Sequence, residues 1–462
     1  MCGVLGISCS DCKNQVFSKL MTCGNDLCHR GEQGWGIATS DSEKISCHHQ
    51  EGRLGEGITE ERARELAKKQ QGYIGLAHTL YSTTGLDKLK KQHKYFQPSV
   101  ASFNGKPFAL VFNGNIYDFE SLKQEAKSAG WKFASESSDT EVIVSLIAIS
   151  SEKDIIEALK KVLPKLIGAF SLIVLYDGKI IGIRDRFGIK PLCIGYSNEG
   201  FFLSSESCVF YPLGAKHIRE VRPGEIVVIN KKGIERYIKW TKETSCRFCI
   251  FEFIYFGRPD SLLCQNRSGY YYRNQAGMLM AKQNKVDADL IISAPAGGDI
   301  FAEAYASALG IPLRQGLFKN RFGIRTFMAE RGTDRRALQR KKLHPLEEVI
   351  RGKRICIAED SIVRNSVAPE IALMCYEAGA REVHIRVFSA PIRHPCFYGV
   401  DMATKEELAA ANLELEEIRE QIGADSLEYL TIDNMIRATG LNKEDLCLAC
   451  FDGNYPVAPP RQ

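Results

Sequence analysis

The sequence has no apolar run long enough to cross a membrane and no large excess of charge of either sign. Its formal net charge is only +5, with 44% hydrophobic and 25% charged residues, which are ordinary proportions for a globular protein. Neither a membrane protein nor a nucleic-acid-binding protein is therefore indicated. The basic stretch from Arg331 to Lys342 fits either a phosphate-binding segment or a solvated loop.

The chain also lacks the features of a signal peptide. Its start, from Met1 to Ile7, has neither a basic region nor a long apolar one, so we expect a cytoplasmic protein. In that reducing compartment the sixteen cysteines are expected to be buried residues, catalysts or metal ligands rather than disulfides. The length of 462 residues favours two domains.

The pattern of predicted elements differs between the two halves of the chain. Up to about residue 240, short β-rich segments alternate with helices, and capping patterns predict helix starts at Thr59 and Ser138. From about residue 280, apolar strands are followed by helices, which indicates a parallel sheet. Ligands bind beyond the carboxyl ends of such strands, so the residues after Ser293 and Ala358 are candidates for a site. We expect an α+β domain over 1–240 and an α/β domain over 241–462.

Cys2 is a candidate nucleophile that supplies its own base. Once Met1 is removed, the freed α-amine can accept the thiol proton directly or through water. Many unrelated proteins begin with Met-Cys, so the neighbouring motifs decide. These motifs are Cys28-His-Arg-Gly31, Ala77-His-Thr-Leu-Tyr-Ser-Thr-Thr-Gly85, Phe112-Asn-Gly-Asn-Ile116 and Ser138-Asp-Thr-Glu141. Their order resembles the glutaminase domain of class II amidotransferases, which implies an N-terminal-nucleophile fold with an αββα sandwich.

Nearly the whole chain resembles the glutamine phosphoribosylpyrophosphate amidotransferases, or amidophosphoribosyltransferases. The further motifs are Arg184-Asp-Arg-Phe-Gly-Ile-Lys-Pro-Leu192, Leu203-Ser-Ser-Glu-Ser207, Val221-Arg-Pro-Gly-Glu225 and Phe251-Glu-Phe-Ile-Tyr-Phe-Gly-Arg-Pro-Asp-Ser261. The resemblance implies a glycosyltransferase in which ammonia released from glutamine at Cys2 travels through an internal channel to phosphoribosyl diphosphate. The product is 5-phosphoribosylamine, at the first step of de novo purine synthesis. It also implies a phosphoribosyltransferase-type second domain, purine nucleotide effectors and a homo-oligomer.

The resemblance assigns roles around Cys2. Asn113 and Gly114 are expected to form the oxyanion hole, because fixed donors stabilise charge on the attacked carbonyl, and Asp139 is expected to hold the substrate α-ammonium. The alternative for Asn113-Gly114 is a hairpin turn. Leu80 departs from the pattern, since the family has an arginine there that pairs with the glutamine α-carboxylate. We expect weakened glutamine use unless another cation, such as Arg30, replaces that arginine.

The second site is expected at the strand end 355–367. There the resemblance implies that Glu359 and Asp360 bind the ribose hydroxyls and Mg²⁺, and that Ser361, Asn365 and Ser366 serve the 5′-phosphate. The alternative for the acidic pair is a helix cap. In the loop 319–327, Lys319 and Arg321 are expected to bind the diphosphate.

Two departures affect this second site. Asn365 follows Arg364 directly, so an expected glycine is absent and one loop residue is missing. Ala296 and Gly297 replace polar side chains of the pyrophosphate loop, although adjacent glycines can still present amides to an anion.

Four cysteines resemble the cluster ligands of iron–sulfur members of the family. They are Cys249, Cys396, Cys447 and Cys450, and four thiolates suit a [4Fe–4S] cluster. Cys246 is the alternative first ligand, and an isolated Cys-x-x-Cys can also be redox-active or bind zinc.

Two other functions remain open on the residues alone. One is a diverged homologue that binds nucleotides or a partner enzyme and regulates, which Leu80, Ala296, Gly297 and the shortened loop motivate. The other is an enzyme that uses free ammonia or another amide donor. Sugar-isomerising amidotransferases fit less well, because of the phosphoribosyl-type strand end.

Overall fold

The computed structural model describes residues 1–11, 15–81, 96–134, 138–320, 340–402 and 404–460. Thirteen strands, β1 to β13, form two antiparallel sheets in the amino-terminal half. The strands are β1 Gly3–Cys9, β2 Gly34–Ser40, β3 Ile45–Glu51, β4 Ile74–Leu80, β5 Ser99–Phe103, β6 Lys106–Ile116, β7 Gly168–Tyr176, β8 Lys179–Arg184, β9 Cys193–Ser197, β10 Gly200–Ser204, β11 Lys216–Glu220, β12 Glu225–Asn230 and β13 Gly233–Lys239. The strand orders are β11-β9-β10-β1-β4-β2-β3 and β13-β12-β8-β7-β6-β5.

The two sheets pack face to face and are covered by helices on their outer faces. One apolar core joins β1 and β4 of the first sheet to β6 and β7 of the second. Helix Val16–Asn25 packs on the first sheet, and helix Asp139–Ala148 packs on the second. This is the αββα sandwich that the motifs predict.

The helix starts in this half follow their predicted caps. The Thr59 hydroxyl accepts the Arg62 N–H, and the Ser138 hydroxyl accepts the Glu141 N–H. Each cap satisfies a donor that the first helical turn leaves unpaired. The helices are Val16–Asn25, Glu60–Lys69, Glu120–Ser128, Asp139–Ala148 and Ile155–Val162, with 3₁₀ turns Leu163–Lys165 and Ser207–Leu213.

The carboxyl-terminal half is built on a four-stranded parallel sheet with the order β17-β20-β21-β22, as the alternating strands and helices predict. Its strands and the shorter pairs around it are β14 Phe248–Cys249, β15 Leu262–Cys264, β16 Arg267–Ser268, β17 Leu290–Ser293, β18 Leu317–Lys319, β19 Leu343–Pro345, β20 Arg354–Glu359, β21 Glu382–Val387, β22 Ser426–Tyr429 and β23 Leu446–Cys447. The helices are Gly269–Gln283, Asp299–Leu309, Glu347–Ile350, Ala368–Glu377, Ala409–Asn412, Leu415–Ile422, Ile432–Thr439 and Ala449–Asp452, with a π-helical turn Glu252–Phe256 and a 3₁₀ turn Lys443–Asp445.

The segment between the halves runs along the amino-terminal half and is joined by the end of the chain. The Arg247 N–H donates to the Phe187 carbonyl at 2.8 Å. Just beyond it, β14 pairs in parallel with β23, which brings the last part of the chain back to the junction. No helix in the described part of the chain is long and apolar enough to span a bilayer.

Candidate active sites

Cys2 lies at the start of β1 and is held by contacts from three other segments. Its N–H donates to Asn113 Oδ1 at 3.2 Å, and its Sγ lies 3.6 Å from the Tyr81 carbonyl. Arg30 Nε donates to the Cys2 carbonyl at 3.0 Å. The nitrogen that becomes the free amine after Met1 removal therefore already has a hydrogen-bond acceptor.

Burial controls the protonation of these groups. It raises the pKa of the Cys2 thiol, an effect that the neighbouring α-amine of Met1 partly offsets. Burial also lowers the pKa of the Met1 amine to about 5. Burial favours the neutral form of an amine, which can accept a proton, whereas the thiol needs a base.

Asn113 and Gly114 lie inside strand β6, opposite Ser171 and Phe170 of β7. The hairpin-turn alternative is therefore wrong. The Asn113 side-chain amide, Nδ2, is buried and has no hydrogen-bond partner among the described residues. A buried donor without a partner costs stability, which makes this one a candidate for a substrate contact.

The Gly114 N–H points in a direction that the strand pairing determines. On the other side of β7, the Asp185 N–H donates to the Phe170 carbonyl at 2.9 Å, and the Phe170 N–H donates to Asp185 Oδ2 at 3.1 Å. Opposite residues in an antiparallel pair either bond each other twice or not at all. The Gly114 N–H therefore points away from β7, on the same side as the Gly114 carbonyl. Gly399 lies on that side, since a Cβ placed on it would be 2.9 Å from the Gly114 oxygen.

Arg30 has other partners than the expected glutamine carboxylate. Its guanidinium is buried and makes a two-point contact with Glu252, with both N–O distances at 2.8 Å. It also donates to Glu206 at 2.6 Å. Both carboxylates are buried as well, so Arg30 neutralises charge inside the protein and anchors the Cys2 carbonyl.

Asp139 and Leu80 border the same region. Asp139 accepts the Thr140 N–H at 2.7 Å and the Ile116 N–H at 3.4 Å, and burial raises its pKa to about 6. At pH 7 it is mostly ionised, as an ammonium partner must be. Leu80 ends β4 with only 9% of its surface exposed. Its side chain offers no charge to a carboxylate.

Glu359 is the last residue of β20 and Asp360 follows it, at the carboxyl end of the parallel sheet. Burial raises the pKa of Glu359 well above its ordinary value, and the neighbouring Asp360 charge adds to this. Burial raises the pKa of Asp360 to about 6. Asp360 Oδ1 accepts the Ser361 hydroxyl at 2.7 Å. The pair does not cap a helix, since helix Ala368–Glu377 starts several residues later with Val367 at its N-cap.

The pyrophosphate loop lies directly against this acidic pair. A Cβ on Gly297 would lie 1.8 Å from Asp360 Oδ2, and a Cβ on Gly298 would lie 2.2 Å from the Ala358 carbonyl. Gly298 requires glycine because the Ala358 backbone approaches it so closely, whereas a side chain at position 297 would require the Asp360 carboxylate to move. The glycine at position 298 therefore has a structural reason.

Asn365 adopts a conformation that usually belongs to glycine. Its φ is +48°, in the left-handed region where asparagine is the most readily accepted larger residue. Ser366 follows it in the loop that leads into helix Ala368–Glu377. The missing glycine is thus compensated locally.

Two cavities meet at the acidic pair. The first, about 390 Å³, is lined by His29, Arg30 and Tyr81 on one side and by residues 359–368, including Ser361 and Ser366, on the other. The second, about 1050 Å³, is lined by Gly297, Glu359, Asp360 and the cations Arg258, Arg273, Lys319 and Lys342. The expected diphosphate ligand Arg321 lies outside the described residues. The first cavity is thus lined both by Arg30 and Tyr81, which contact Cys2, and by the strand end.

The four expected cluster cysteines share one neighbourhood. Strand pairing sets Cys249 opposite Cys447, and the Cys450 carbonyl accepts N–H groups from residues 393 and 394, close to Cys396. Burial raises the pKa of Cys450 well above its ordinary value, and the charges of the other three cysteines raise it further. Within the described ranges, however, no group of three or more His, Cys, Asp or Glu side chains is already arranged to hold a metal ion.

Comparisons with known proteins agree on one family. The amidophosphoribosyltransferase of Methanocaldococcus jannaschii is 38% identical over 473 residues, which covers 99% of this chain and 98% of that protein. The Bacillus subtilis amidophosphoribosyltransferase is 36% identical over 462 residues, with 99% and 94% covered. This chain belongs to the amidophosphoribosyltransferase family.

Structural and domain comparisons support the same family. The solved Bacillus subtilis glutamine phosphoribosylpyrophosphate amidotransferase, complexed with ADP and GMP, superposes with a TM-score of 0.89 at 34% identity, covering 99% of this chain and 97% of that one. A family profile described as a glutamine amidotransferase domain matches residues 87–211. The expected fold, an N-terminal-nucleophile domain followed by a phosphoribosyltransferase-type domain, is confirmed.

Several residues of this amidophosphoribosyltransferase site were missed by sequence reasoning. Tyr81 Oη donates to Asp401 at 3.4 Å, and Arg364 lies 3.4 Å from the other oxygen of Asp401. Glu252 and Arg273 are two further site residues that sequence reasoning missed. The motif Phe251 to Ser261 marks the family in the sequence, but nothing local in it indicates that Glu252 faces Arg30.

Proposed function

We propose that this chain performs the amidophosphoribosyltransferase reaction with the residues that the geometry brings together. After Met1 removal, the neutral α-amine of Cys2 takes the thiol proton, and the thiolate attacks the side-chain amide carbon of glutamine. Asn113 Nδ2 and the Gly114 N–H stabilise the oxyanion. Ammonia leaves, and water then hydrolyses the thioester to glutamate.

The observation that carries this proposal is the unpartnered Asn113 Nδ2 beside Cys2. Asn113 Oδ1 is occupied by the Cys2 nitrogen, so the side chain is oriented with its donor end free for the substrate. Asp139, ionised at pH 7, is proposed to hold the substrate α-ammonium. Arg30 is proposed to position Cys2 through its carbonyl rather than to bind glutamine.

The second half-reaction is proposed at the strand end. Ammonia attacks the C1 carbon of the ribose and pyrophosphate leaves. Glu359 and Asp360 bind the ribose hydroxyls, while Ser361, Ser366 and the amides before helix Ala368–Glu377 bind the 5′-phosphate. Lys319, Arg321 and the cations that line the larger cavity receive the pyrophosphate. We propose the first cavity as the ammonia route.

Magnesium fits this acidic pair. Burial raises the pKa of both carboxyls, and the Asp360 charge raises that of Glu359 further, so a divalent cation with oxygen ligands would relieve an unfavourable charge. Bound Mg²⁺ would neutralise the diphosphate. Glu359 and Asp360 are the residues proposed to hold it.

A [4Fe–4S] cluster fits the four-cysteine neighbourhood. The Tyr398 N–H donates to Cys396 Sγ at 3.4 Å, as amides around cluster sulfurs do. Lys190, fully buried, lies near Cys249 and Cys447 and offsets thiolate charge. We propose a structural role, in which a cluster held by these cysteines ties the end of the chain to the domain junction.

Further properties of the family are proposed for this chain. They are regulation by purine nucleotides, since the Bacillus subtilis enzyme was solved with ADP and GMP, a homo-oligomeric state, a cytoplasmic location, and a division of labour between residues 1–240 and 241–462. Leu80 favours one second candidate, in which the same strand-end site uses free ammonia or another amide donor.

One assay series tests both candidates. Glutamine or ammonium chloride is supplied with and without phosphoribosyl diphosphate, and glutamate and pyrophosphate are followed. Pyrophosphate release with glutamine supports the proposed function. Release with ammonium alone supports the second candidate, and release with neither nitrogen source contradicts both.

A further inference from the structure

Two cysteines outside both reaction centres face each other at the domain junction. Cys246 lies in the segment between β13 and β14, and Cys264 is the last residue of β15. Their Sγ atoms are 4.0 Å apart. Cys264 is almost fully buried, whereas Cys246 is partly exposed. The sequence leaves Cys246 as an alternative cluster ligand, but the structure puts Cys249, not Cys246, opposite Cys447.

The surroundings of the pair shift the pKa values of the two thiols in opposite directions. The hydrogen bond with Cys264 lowers the pKa of Cys246, and the nearby guanidinium of Arg184 acts in the same direction against burial. The same hydrogen bond, together with burial, raises the pKa of Cys264. Cys246 is therefore the accessible thiol that ionises first, and Cys264 is the protonated neighbour.

Both cysteines are carried by backbone that is fixed on either side. Next to Cys246, the Ser245 and Arg247 N–H groups donate to the carbonyls of residues 186 and 187, at 3.3 and 2.8 Å. Cys264 enters a tight turn whose central residues, Gln265 and Asn266, have φ of +47° and +58°. Disulfide sulfurs are about 2 Å apart, so the remaining approach is about 2 Å.

We propose that Cys246 and Cys264 form a reversible thiol–disulfide site whose reagent is a small oxidised disulfide of the glutathione type. The Cys246 thiolate attacks one sulfur of the reagent, and one thiolate leaves. The Cys264 thiol then loses its proton to solvent and attacks the Cys246 sulfur, which expels the second thiolate. One reagent disulfide is reduced while the two cysteines are oxidised by two electrons.

The disulfide would close a ring over residues 246–264. This ring contains Glu252, which holds Arg30 and through it the Cys2 carbonyl. It also contains Cys249, the first proposed cluster ligand. Oxidation at this site therefore ties the junction segment to the β15–β16 hairpin at the point where the two halves of the chain meet.

Peptide mapping of the full-length protein tests the proposal. The reduced protein is equilibrated with mixtures of oxidised and reduced glutathione, alkylated and digested with trypsin. Cys246 is then in peptide 243–247, and Cys264 is in peptide 248–267 together with Cys249. Tandem mass spectrometry locates the linked cysteine.

We expect a Cys246–Cys264 link that dithiothreitol removes; in Cys264→Ser, where the link cannot form, the exchange should stop at a glutathione adduct on Cys246. The matched control Cys375→Ser, at a buried cysteine of helix Ala368–Glu377, should keep the link. The wild-type map decides even if a variant folds poorly. In the wild type, a link to Cys249, a glutathione adduct on Cys246 that never resolves, or unmodified thiols throughout would overturn the proposal.

Discussion

Leu80 and Asn365 both stand where the family pattern has another residue. The structure replaces what is lost at Asn365, a backbone conformation, but not what is lost at Leu80, a positive charge. At the strand end, Asn365 adopts the left-handed backbone of the missing glycine, and Gly297 lies directly against the Asp360 carboxylate. Beside Cys2, Arg30, which donates to the Cys2 carbonyl, is already bound by Glu206 and Glu252.

The comparison shows that a lost conformation is easier to replace than a lost charge. Asparagine can take over a backbone angle by itself. A carboxylate partner must instead be a cation that is both close and unoccupied. We therefore expect the site at the strand end to keep its affinity for phosphoribosyl diphosphate. The site around Cys2 is expected to bind glutamine weakly.

The largest expected effect is a loss of the glutamine-dependent reaction that leaves the ammonium-dependent reaction at the strand end intact. Cys2→Ala should reduce glutamine-dependent pyrophosphate release by at least about 10³-fold, because the nucleophile is removed. Ammonium-dependent release should stay within about twofold, because Glu359 and Asp360 are untouched. Steady-state assays with each nitrogen source measure both. An equal loss with both sources would mean that the two sites cannot be separated in this way.

Asn113→Ala should lower the kcat of glutamine hydrolysis by about 10²–10³-fold, the usual cost of losing one oxyanion donor. The control is Asn230→Ala at the end of β12, which should leave kcat unchanged. The split between kcat and KM is informative, since the proposed contact strengthens only in the transition state. A change confined to KM would place Asn113 in substrate binding instead.

At the strand end, Asp360→Asn should stabilise the ligand-free protein while abolishing its Mg²⁺ response. The folded pKa of Asp360, about 6, lies above its ordinary value of 3.8, so its ionised form destabilises the fold above pH 6 and the penalty disappears below pH 4. Thermal midpoints at pH 7.5 and pH 4, with and without Mg²⁺, measure this.

The interpretation of Asp360 fails if the variant is equally stabilised at both pH values. It also fails if added Mg²⁺ raises the midpoint of the variant as much as that of the wild type. Either result would remove the charge repulsion that motivates the metal site.

Leu80→Arg should lower the KM for glutamine by about tenfold, since a guanidinium can pair with the α-carboxylate. Leu80→Met, which keeps volume without charge, is the matched control and should leave KM unchanged. The KM for phosphoribosyl diphosphate should not move in either variant. A wild-type KM for glutamine that Leu80→Arg cannot improve would show that another cation already serves the carboxylate.

The smallest effect concerns Asn365. Asn365→Gly should change stability by no more than about 0.5 kcal/mol, because both residues accept φ near +48°. Asn365→Val should cost about 1–2 kcal/mol and raise the KM for phosphoribosyl diphosphate, because β-branched residues disfavour that conformation. Equal behaviour of the two variants would show that the loop tolerates any backbone at this position.

Local signals in the sequence predict much of this molecule. The caps at Thr59 and Ser138 occur where their patterns predict them, and a parallel sheet forms where strands and helices alternate. Contacts between distant segments could not be predicted. The partners of Arg30, the pairing of β14 with β23 and the contact between Cys246 and Cys264 depend on how whole layers pack, and no periodicity encodes that packing.

The central claim is that nitrogen released at Cys2 reaches the strand end inside the protein. Glutamine labelled with ¹⁵N in its side-chain amide, supplied with phosphoribosyl diphosphate and a large excess of unlabelled ammonium at a pH where free ammonia is scarce, tests it most directly. The account predicts that most of the amine product carries the label. Label diluted to the isotopic composition of the bulk ammonium would contradict it.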